Sequence, residues 1–392
     1  MSTLARSGVL LDLTPLETIS SLRGIGRYVR GLASGLAQLA NESAFHVEGV
    51  AATPDLKRLF VVENPFEYCL RPVTAPIPKS PARRRRLIQR QIASLARERP
   101  GLLHLTDPNG MPPANSVPFT VTCHDLIPLV LHREYIAPIP YWFTVYGAIA
   151  RARYRRPCRI LAVSQATKRD VVERLKIDQK HVDVVWHGVD HDLFHPESAA
   201  GERAQLDAIV GGPGPYILYL GAGDPRKDLD TLLTAFANSG VHRQARLVFC
   251  GNFSTERARA LTSQAARLGV SAALVLAGYV PESVVPALYR HAAVHAFLSR
   301  YEGFGLPVIE AMACGAPTIT SAGSSLDEVA GQGALIVPCR EPDALTAALR
   351  AAFFDSELRL ALKQRGIARA ATFTWQRCAE QTIAFWQRAL EV

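Results

Sequence analysis

The chain lacks the features that settle a fold by covalent or membrane constraint. Its seven cysteines, Cys69, Cys123, Cys158, Cys250, Cys314, Cys339 and Cys378, are odd in number, dispersed and free of any Cys-x-x-Cys pair. That excludes a disulfide framework and a zinc site, and reads as free buried thiols. No apolar run approaches the ~18 residues that a helix needs to cross a bilayer. The stretch Met1 to Ser7 has none of the basic, apolar and small-residue segments of a signal peptide, so a cytoplasmic location is expected. No full Gly-x-Gly-x-x-Gly follows a strand-like stretch in either half, which disfavours a nicotinamide dehydrogenase. Apart from one arginine run, there is no low-complexity tract and no internal repeat.

What is present is a long, ordinarily apolar chain with an uneven charge. At 392 residues and 48% hydrophobic content, it has room for two domains with separate cores. The net charge of +9 is clustered in Arg83-Arg-Arg-Arg86 with Arg90, Arg97 and Arg99, and again in Arg151, Arg153, Arg155, Arg156 and Arg159. Positive surfaces attract nucleic acid, anionic lipid or anionic substrates alike. The arginines carry little aromatic interleaving and no zinc-finger or RNA-recognition signature, so no nucleic-acid partner is expected. The first cluster opens a helical pattern with Leu87, Ile88, Gln91, Ile92 and Leu95 on one side. Two readings follow: a peripheral contact with an anionic membrane through Arg83 to Arg86, or a solvated helix whose apolar side joins the core.

Both halves alternate short β-branched runs with helical periodicity, the rhythm of a doubly wound α/β sheet. In the first half, strands are expected at Val9–Leu13, His46–Ala52, Leu102–Leu105, Phe119–Cys123, Ile160–Val163 and Val182–Trp186, and helices at Tyr28–Leu39 and Ala166–Leu175. From Phe194 the chain turns to Pro, Gly, Ala and charge, ending in Gly211-Gly-Pro-Gly-Pro215, which punctuates rather than folds. The domains are therefore drawn at 1–195 and 216–372, with 196–215 as linker and 373–392 as a final helical segment. In the second half, strands are expected at Tyr216–Leu220, Leu247–Cys250, Leu274–Ala277, Val294–Leu298, Thr318–Thr320 and Leu335–Val337. Helices are expected at Leu229–Ala237, Thr255–Leu268, Glu282–His291 and Ala344–Phe353.

The most informative stretch is Glu302-Gly-Phe-Gly-Leu-Pro-Val-Ile-Glu310. The apolar run before it reads as a buried strand, Glu302 to Gly305 as the loop at its carboxyl end, Pro307 as the first residue of a short helix and Gly315 as its stop. Such a loop sets backbone N–H groups and a positive helix end above a parallel sheet, where phosphate or sugar hydroxyls can sit. Pro225-Arg226-Lys227 follows the first strand of the second half, and two cations there can neutralise a diphosphate. Gly24-Ile-Gly26-Arg-Tyr28 follows the first strand of the chain and opens a helix, a place where close backbone approach to phosphate or acceptor needs glycine. An ordinary turn explains it equally. His124 ends the strand Phe119–Cys123 and can meet a sugar hydroxyl; a strand-capping histidine is the alternative. His187, before Gly188, reads as structural.

The Glu-x7-Glu pattern with Gly-Phe-Gly after its first Glu resembles the retaining family 4 glycosyltransferases of GT-B fold. The resemblance also takes in Ala162 to Lys168, Trp186 to Asp190 with Phe194, Pro225 to Lys227, Gly278-Tyr-Val280 and Ala311 to Pro317. It implies two Rossmann-like domains facing across a cleft, with the C-terminal helix returning to the N-terminal domain. It further implies Lys227 and Arg226 on the donor diphosphate, Glu310 on the ribose, and Glu302 with the backbone of Phe304, Gly305 and Leu306 on the donor sugar. Val280 then joins the donor site, Gly24 and Gly26 form the glycine loop, and His124 is the active-site histidine beside Glu302. Where the family often has a Gly-Arg pair after the strand, this chain has Gly221-Ala222, so Arg226 is expected to take that role. Arg27-Tyr28 is similar to bacterial mannosyltransferases of surface polysaccharides, which favours GDP-mannose as donor and a glycan or lipid-linked glycan as acceptor. No Asp-x-Asp clip stands at a matching place, so no obligatory metal or cofactor is expected. UDP-glucose and UDP-N-acetylglucosamine, and an epimerase or phosphorylase on the same fold, stay open.

Overall fold

The computed structural model describes residues 7–22, 24–40, 45–53, 55–71, 82–99, 101–112, 117–135 and 140–391, with the side chains of 7, 19, 22, 82–85 and 140–143 left aside. The chain divides into two compact units, Met1–Gly188 with Thr374–Val392, and Val189–Phe373.

The first unit is built on seven strands: β1 (Ser7–Asp12), β2 (Phe45–Ala52), β3 (Leu59–Val62), β4 (Leu102–Leu105), β5 (Phe119–Cys123), β6 (Arg159–Ala162) and β7 (Val182–Val184). Their order is β3-β2-β1-β4-β5-β6-β7, and all pairs are parallel except β2 with β3. The inner strands β4 and β5 are buried at every residue, as a sheet covered on both faces requires. The sequence reading missed β3. It is a half-exposed antiparallel edge of four residues, Leu59-Phe-Val-Val62.

The helix Gly24–Gln38 starts four residues earlier than its periodicity suggests, and takes both glycines of the Gly24 loop into its first turn. Its Gly31 and Gly35, one turn apart, leave a bare strip against which the helix Trp375–Leu390 seats. A Cβ on Gly31 would stand 2.0 Å from the Trp375 ring, and one on Gly35 2.2 Å from the Trp375 carbonyl oxygen. Mid-helix glycine costs about 1 kcal/mol against alanine. That cost is offset here by burying Phe385 and Trp386 completely beside Leu32 and Val29.

The helix Ala82–Arg97 turns Ile88 and Ile92 into the core on the other face of the sheet. Its apolar side therefore joins the core, while Arg86, Leu87 and Arg90 are exposed. The side chains of Arg83, Arg84 and Arg85 lie outside the described residues. Part of the second arginine cluster also turns inward. Arg153 donates to the Pro108 carbonyl at 2.6 Å, Arg156 to that of Pro112, and Arg159 pairs with Asp183 at 2.8 Å.

The second unit holds β8 (Tyr216–Leu220), β9 (Arg246–Cys250), β10 (Leu274–Gly278), β11 (Val294–Phe297), β12 (Thr318–Ser321) and β13 (Leu335–Val337), all parallel, in the order β10-β9-β8-β11-β12-β13. Counted from β8, this is the Rossmann order 3-2-1-4-5-6, whose ligands sit beyond the carboxyl ends where the order reverses, between β8 and β11. The expected helix Glu282–His291 is a 3-10 turn, Glu282–Val284, followed by the helix Val285–Arg290. Pro286 has no N–H to continue a helix through it. The segment 196–215 is more than a linker. It carries short helices at Glu202–Gln205 and Asp207–Val210, and Glu202 is held by Arg290 at 2.6 Å and by His291 at 3.0 Å within the second unit.

Candidate functional site

At the carboxyl end of β8 the chain turns through Pro225–Lys227, capped by Asp224, whose side chain accepts from the Arg226 amide at 3.1 Å. At the carboxyl end of β11 comes the Glu302 loop. The two ends meet in one buried charge cluster. Lys227 Nζ lies 2.6 Å from Glu302 Oε1 and 4.3 Å from the centre of the Phe297 ring beneath it. Arg226 Nε lies 3.4 Å from the same oxygen and donates to the Tyr301 carbonyl at 3.2 Å, while its other end pairs with Asp224 at 2.8 Å. Burial pushes the Lys227 ammonium down from its ordinary range, with Glu302 opposing the push. Burial works against the Glu302 carboxylate too, but Lys227 and Arg226 outweigh it and hold its pKa below the usual carboxylate range.

Gly305 shapes the loop above this cluster. Its φ of +106° is open to glycine and strained for other residues, and a Cβ there would stand 2.5 Å from Leu326 Cδ2. The Ser325 hydroxyl lies 3.0 Å from the Glu302 carbonyl and 2.9 Å from that of Phe304, which pins the loop from below. The helix that follows is Leu306–Ala313, so Pro307 is its second residue and Leu306 its first; Gly315, at φ +75°, ends it. Glu310 sits one turn in, buried, with the Tyr289 hydroxyl 3.5 Å from Oε2. Val280, also buried, follows β10 after the left-handed Gly278. Arg226, Lys227, Glu302, Phe304, Gly305, Leu306, Glu310 and Val280 thus all stand at the carboxyl side of one sheet. They form two cations, two carboxylates and a helix start, a set suited to a ligand with both phosphate and hydroxyls.

His124, Gly24 and Gly26 belong to the first unit. His124 Nε2 lies 2.8 Å from the Thr106 carbonyl, so that nitrogen donates and Nδ1 is left as acceptor. Burial lowers its pKa below the ordinary imidazole range, against the Thr106 carbonyl. Its ring meets the edge of Tyr28 at 5.1 Å, and Tyr28 stacks on His187 at 4.8 Å and shares a 2.9 Å hydrogen bond with Thr122. The place of a Gly26 Cβ is filled by the Ser21 backbone, 2.3 Å away at the carbonyl oxygen, so the chain's own packing requires glycine there. Gly24 is exposed at the helix start.

Sequence reasoning missed Asp12. It ends β1 fully buried, with Oδ1 taking the Thr14 N–H at 3.0 Å and the Thr14 hydroxyl at 2.6 Å, while Oδ2 has no partner among the described residues. Burial raises its pKa to about 7, against the Thr14 bonds and aided by Asp107. The signal was an acid inside Val9-Leu-Leu-Asp-Leu13, a stretch apolar on both sides. A cavity of about 250 Å³, lined by Gly8, Glu48, Arg97, Arg99 and Val117, opens at the amino ends of β1, β4 and β5, the edge opposite these residues.

Comparison with known proteins agrees with this layout. Residues 22–193 match the family described as Glycosyltransferase Family 4, and residues 209–369 match Glycosyl transferases group 1. The chain is similar to the serotype-specific mannosyltransferase WbdA of Escherichia coli, 29% identical over 285 residues, 71% of this chain and 35% of that protein. It is also similar to O-antigen chain mannosyltransferase B of Escherichia coli, 36% identical over 172 residues, 43% of this chain and 44% of that one. The chain therefore spans less than half the length of these curated relatives. Among solved structures, sucrose-phosphate synthase from Thermosynechococcus elongatus shares the fold, with a TM-score of 0.77 at 22% identity over 98% of this chain and 100% of that one.

Proposed function

Because the chain belongs to the family 4 glycosyltransferases and has their pair of Rossmann-like units, we propose that it is a retaining transferase moving mannose from GDP-mannose to a hydroxyl of a glycan or lipid-linked glycan. The observation that carries the reading is the convergence of Arg226, Lys227, Glu302 and Glu310 at the carboxyl ends of β8 and β11. Lys227 and Arg226 neutralise the leaving diphosphate, Glu310 takes the ribose, and Glu302 with the Phe304 to Leu306 backbone takes the sugar. The bond from the anomeric carbon to the diphosphate breaks as the acceptor oxygen bonds to the same face, and the acceptor proton passes to the leaving diphosphate. The chain's part is positioning and charge stabilisation of an oxocarbenium-like state. His124 Nδ1, the accepting nitrogen, meets a sugar hydroxyl. Mannose is favoured by the two mannosyltransferase relatives and by the Gly24 to Tyr28 loop.

Calorimetry with GDP, UDP, GDP-mannose and UDP-glucose tests this. The guanosine pair is expected to bind, and Glu310→Ala to weaken it by about tenfold or more, the scale of a lost charged hydrogen bond. Binding of uridine nucleotides alone would move the donor to a UDP sugar, and binding of none by folded protein would remove the reading. No divalent ion takes part in the proposed step, so transfer that stops on adding a chelator would contradict it. Among the described residues no helix is long and apolar enough to cross a membrane. A lipid-linked acceptor is instead reached by a peripheral contact of the arginine run Arg83 to Arg86 with the anionic inner face of the cell membrane. Liposome flotation unchanged when Arg83 to Arg86 become Ser would count against that contact.

A further inference from the structure

Three rings close on one another at the end of β5, and only one of them reaches solvent. His124 is partly exposed, whereas Tyr28 and His187 are buried. Thr120, Thr122 and His124 alternate along β5 and its end, so they share one face of the sheet, against which Tyr28 of the helix Gly24–Gln38 is set. The His124 ring meets Tyr28 at 5.1 Å and 77°, and His187 at 5.8 Å and 61°. Tyr28 and His187 stack on each other at 4.8 Å and 24°, which closes the triangle. Edge-on and stacked contacts are the arrangements that ring pairs favour.

Each buried ring is itself held from behind. The Tyr28 hydroxyl shares its 2.9 Å bond with Thr122, whose oxygen also lies 3.2 Å from His104 Nε2. His187 rests on Trp375, with centroids 6.0 Å apart and planes tilted by 30°. At the next residue, Gly188, a Cβ would stand 2.3 Å from the Trp375 nitrogen, so the backbone that carries His187 has no room to step back. His124 Nε2 is anchored on the Thr106 carbonyl at 2.8 Å. One hydrogen bond lets an imidazole rock about it, because the last torsion of histidine is broad. The two rings set its plane.

We propose that Tyr28 and His187 are positioning residues for the reaction: together they hold the His124 ring in the one orientation in which Nδ1, the accepting nitrogen, meets the donor sugar. This rests on the reading of His124 as the sugar-facing histidine. What position 187 contributes is then a flat ring, and what Tyr28 contributes is a ring tethered at its far end. Neither touches substrate. Both act through His124, whose hydrogen bond to a hydroxyl is worth making only if its direction is settled before the donor arrives.

The test compares His187→Leu, which removes the ring, with His187→Phe, which keeps one, on samples with a cooperative thermal transition. If His187→Leu does not fold, the more adaptable His187→Met replaces it. In protein labelled with 15N-histidine, His124 is expected as a single tautomer protonated at Nε2, its signals assigned by their loss in His124→Gln. His187→Leu should draw the two nitrogen resonances together, and His187→Phe should return them. Calorimetry with GDP, GDP-mannose, UDP and UDP-glucose gives the second readout. The sugar nucleotide that wild type binds should weaken by about fivefold in His187→Leu, the scale of one lost neutral hydrogen bond, with its nucleoside diphosphate unchanged and the Phe variant restored. A His187 that only fills the core would lower the thermal transition and leave both readouts alone. Unmoved His124 signals in the folded ringless variant, or a Phe variant no better than the Leu one, overturn the inference. Moved signals with unaltered donor binding overturn its link to the sugar. Failure of folded wild type to bind any of the four ligands overturns the proposed function, while the nitrogen signals still decide whether the rings hold His124.

Discussion

Two sheets of nearly the same winding present opposite chemistry at equivalent places. At the end of its first strand, β1, the first unit buries a carboxyl, Asp12, whose Oδ2 has no partner among the described residues. At the end of its own first strand, β8, the second unit buries an ammonium, Lys227, and answers it from the fourth strand with Glu302. The equivalent strand end of the first unit, after β4, offers another acid, Asp107, which raises the Asp12 pKa further. Winding order therefore fixes where polar groups gather and leaves their sign open. The carboxylate of the pair is held below the usual carboxylate range by its cations, whereas the uncompensated acid holds its proton up to about 7.

Three substitutions separate these cases, beginning with the largest effect. Lys227→Met strands the Glu302 carboxylate and is expected to cost about 3–5 kcal/mol of stability, the usual penalty for breaking a buried pair from one side. Donor binding should be lost with it. In a double-mutant cycle by denaturant unfolding, adding Glu302→Gln should return part of that loss; a strictly additive pair would mean that Arg226 already neutralises Glu302.

Asp12→Asn should act in the other direction, and only as pH rises. The folded pKa of about 7 exceeds the unfolded 3.8, so the folded state keeps a proton that the unfolded chain gives up. Its contribution is whole below about pH 4 and is lost as pH rises through 7, an amplitude on the order of 4 kcal/mol for about three pKa units. Relative to wild type, the variant should gain stability between pH 4 and 7 and level off above. Parallel pH profiles of unfolding would show that Asp12 ionises freely.

The smallest change is Tyr28→Phe. It removes the 2.9 Å bond to Thr122 and leaves the ring on His187, for about 1 kcal/mol. Thermal unfolding unchanged by this variant would show that the hydroxyl adds nothing.

How much of this was legible depended on whether a feature was local. The strands β8 to β13 could be read to within a residue or so at each end, because buried parallel strands are short apolar runs bounded by breakers. The edge β3 is also a short apolar run, Leu59-Phe-Val-Val62, but it pairs antiparallel and stays half-exposed, so the run alone did not mark it. In the site, Glu302 to Glu310 announced itself because strand, loop and helix start are contiguous. The pairing of Lys227 with Glu302 did not, since 75 residues separate them and only the topology brings β8 beside β11. Pro307 was placed one residue early because proline suits either of the first two helical positions. Gly26 could be read as a close approach to a ligand or as an ordinary turn, and no local pattern reveals that the Ser21 backbone packs against it.

The first unit closes only with residues 374–392, after the whole second unit has been made. Until then the strip at Gly31 and Gly35 has nothing to receive, and the core around Leu32 lacks Phe385 and Trp386. The second unit is, in effect, a self-contained insertion, with Val189 N–H on the Phe373 carbonyl at 3.2 Å where its two ends meet. During synthesis the later-made unit can fold first, while the earlier-made one waits for residues 374–392 and leaves the apolar strip they cover open to chaperones.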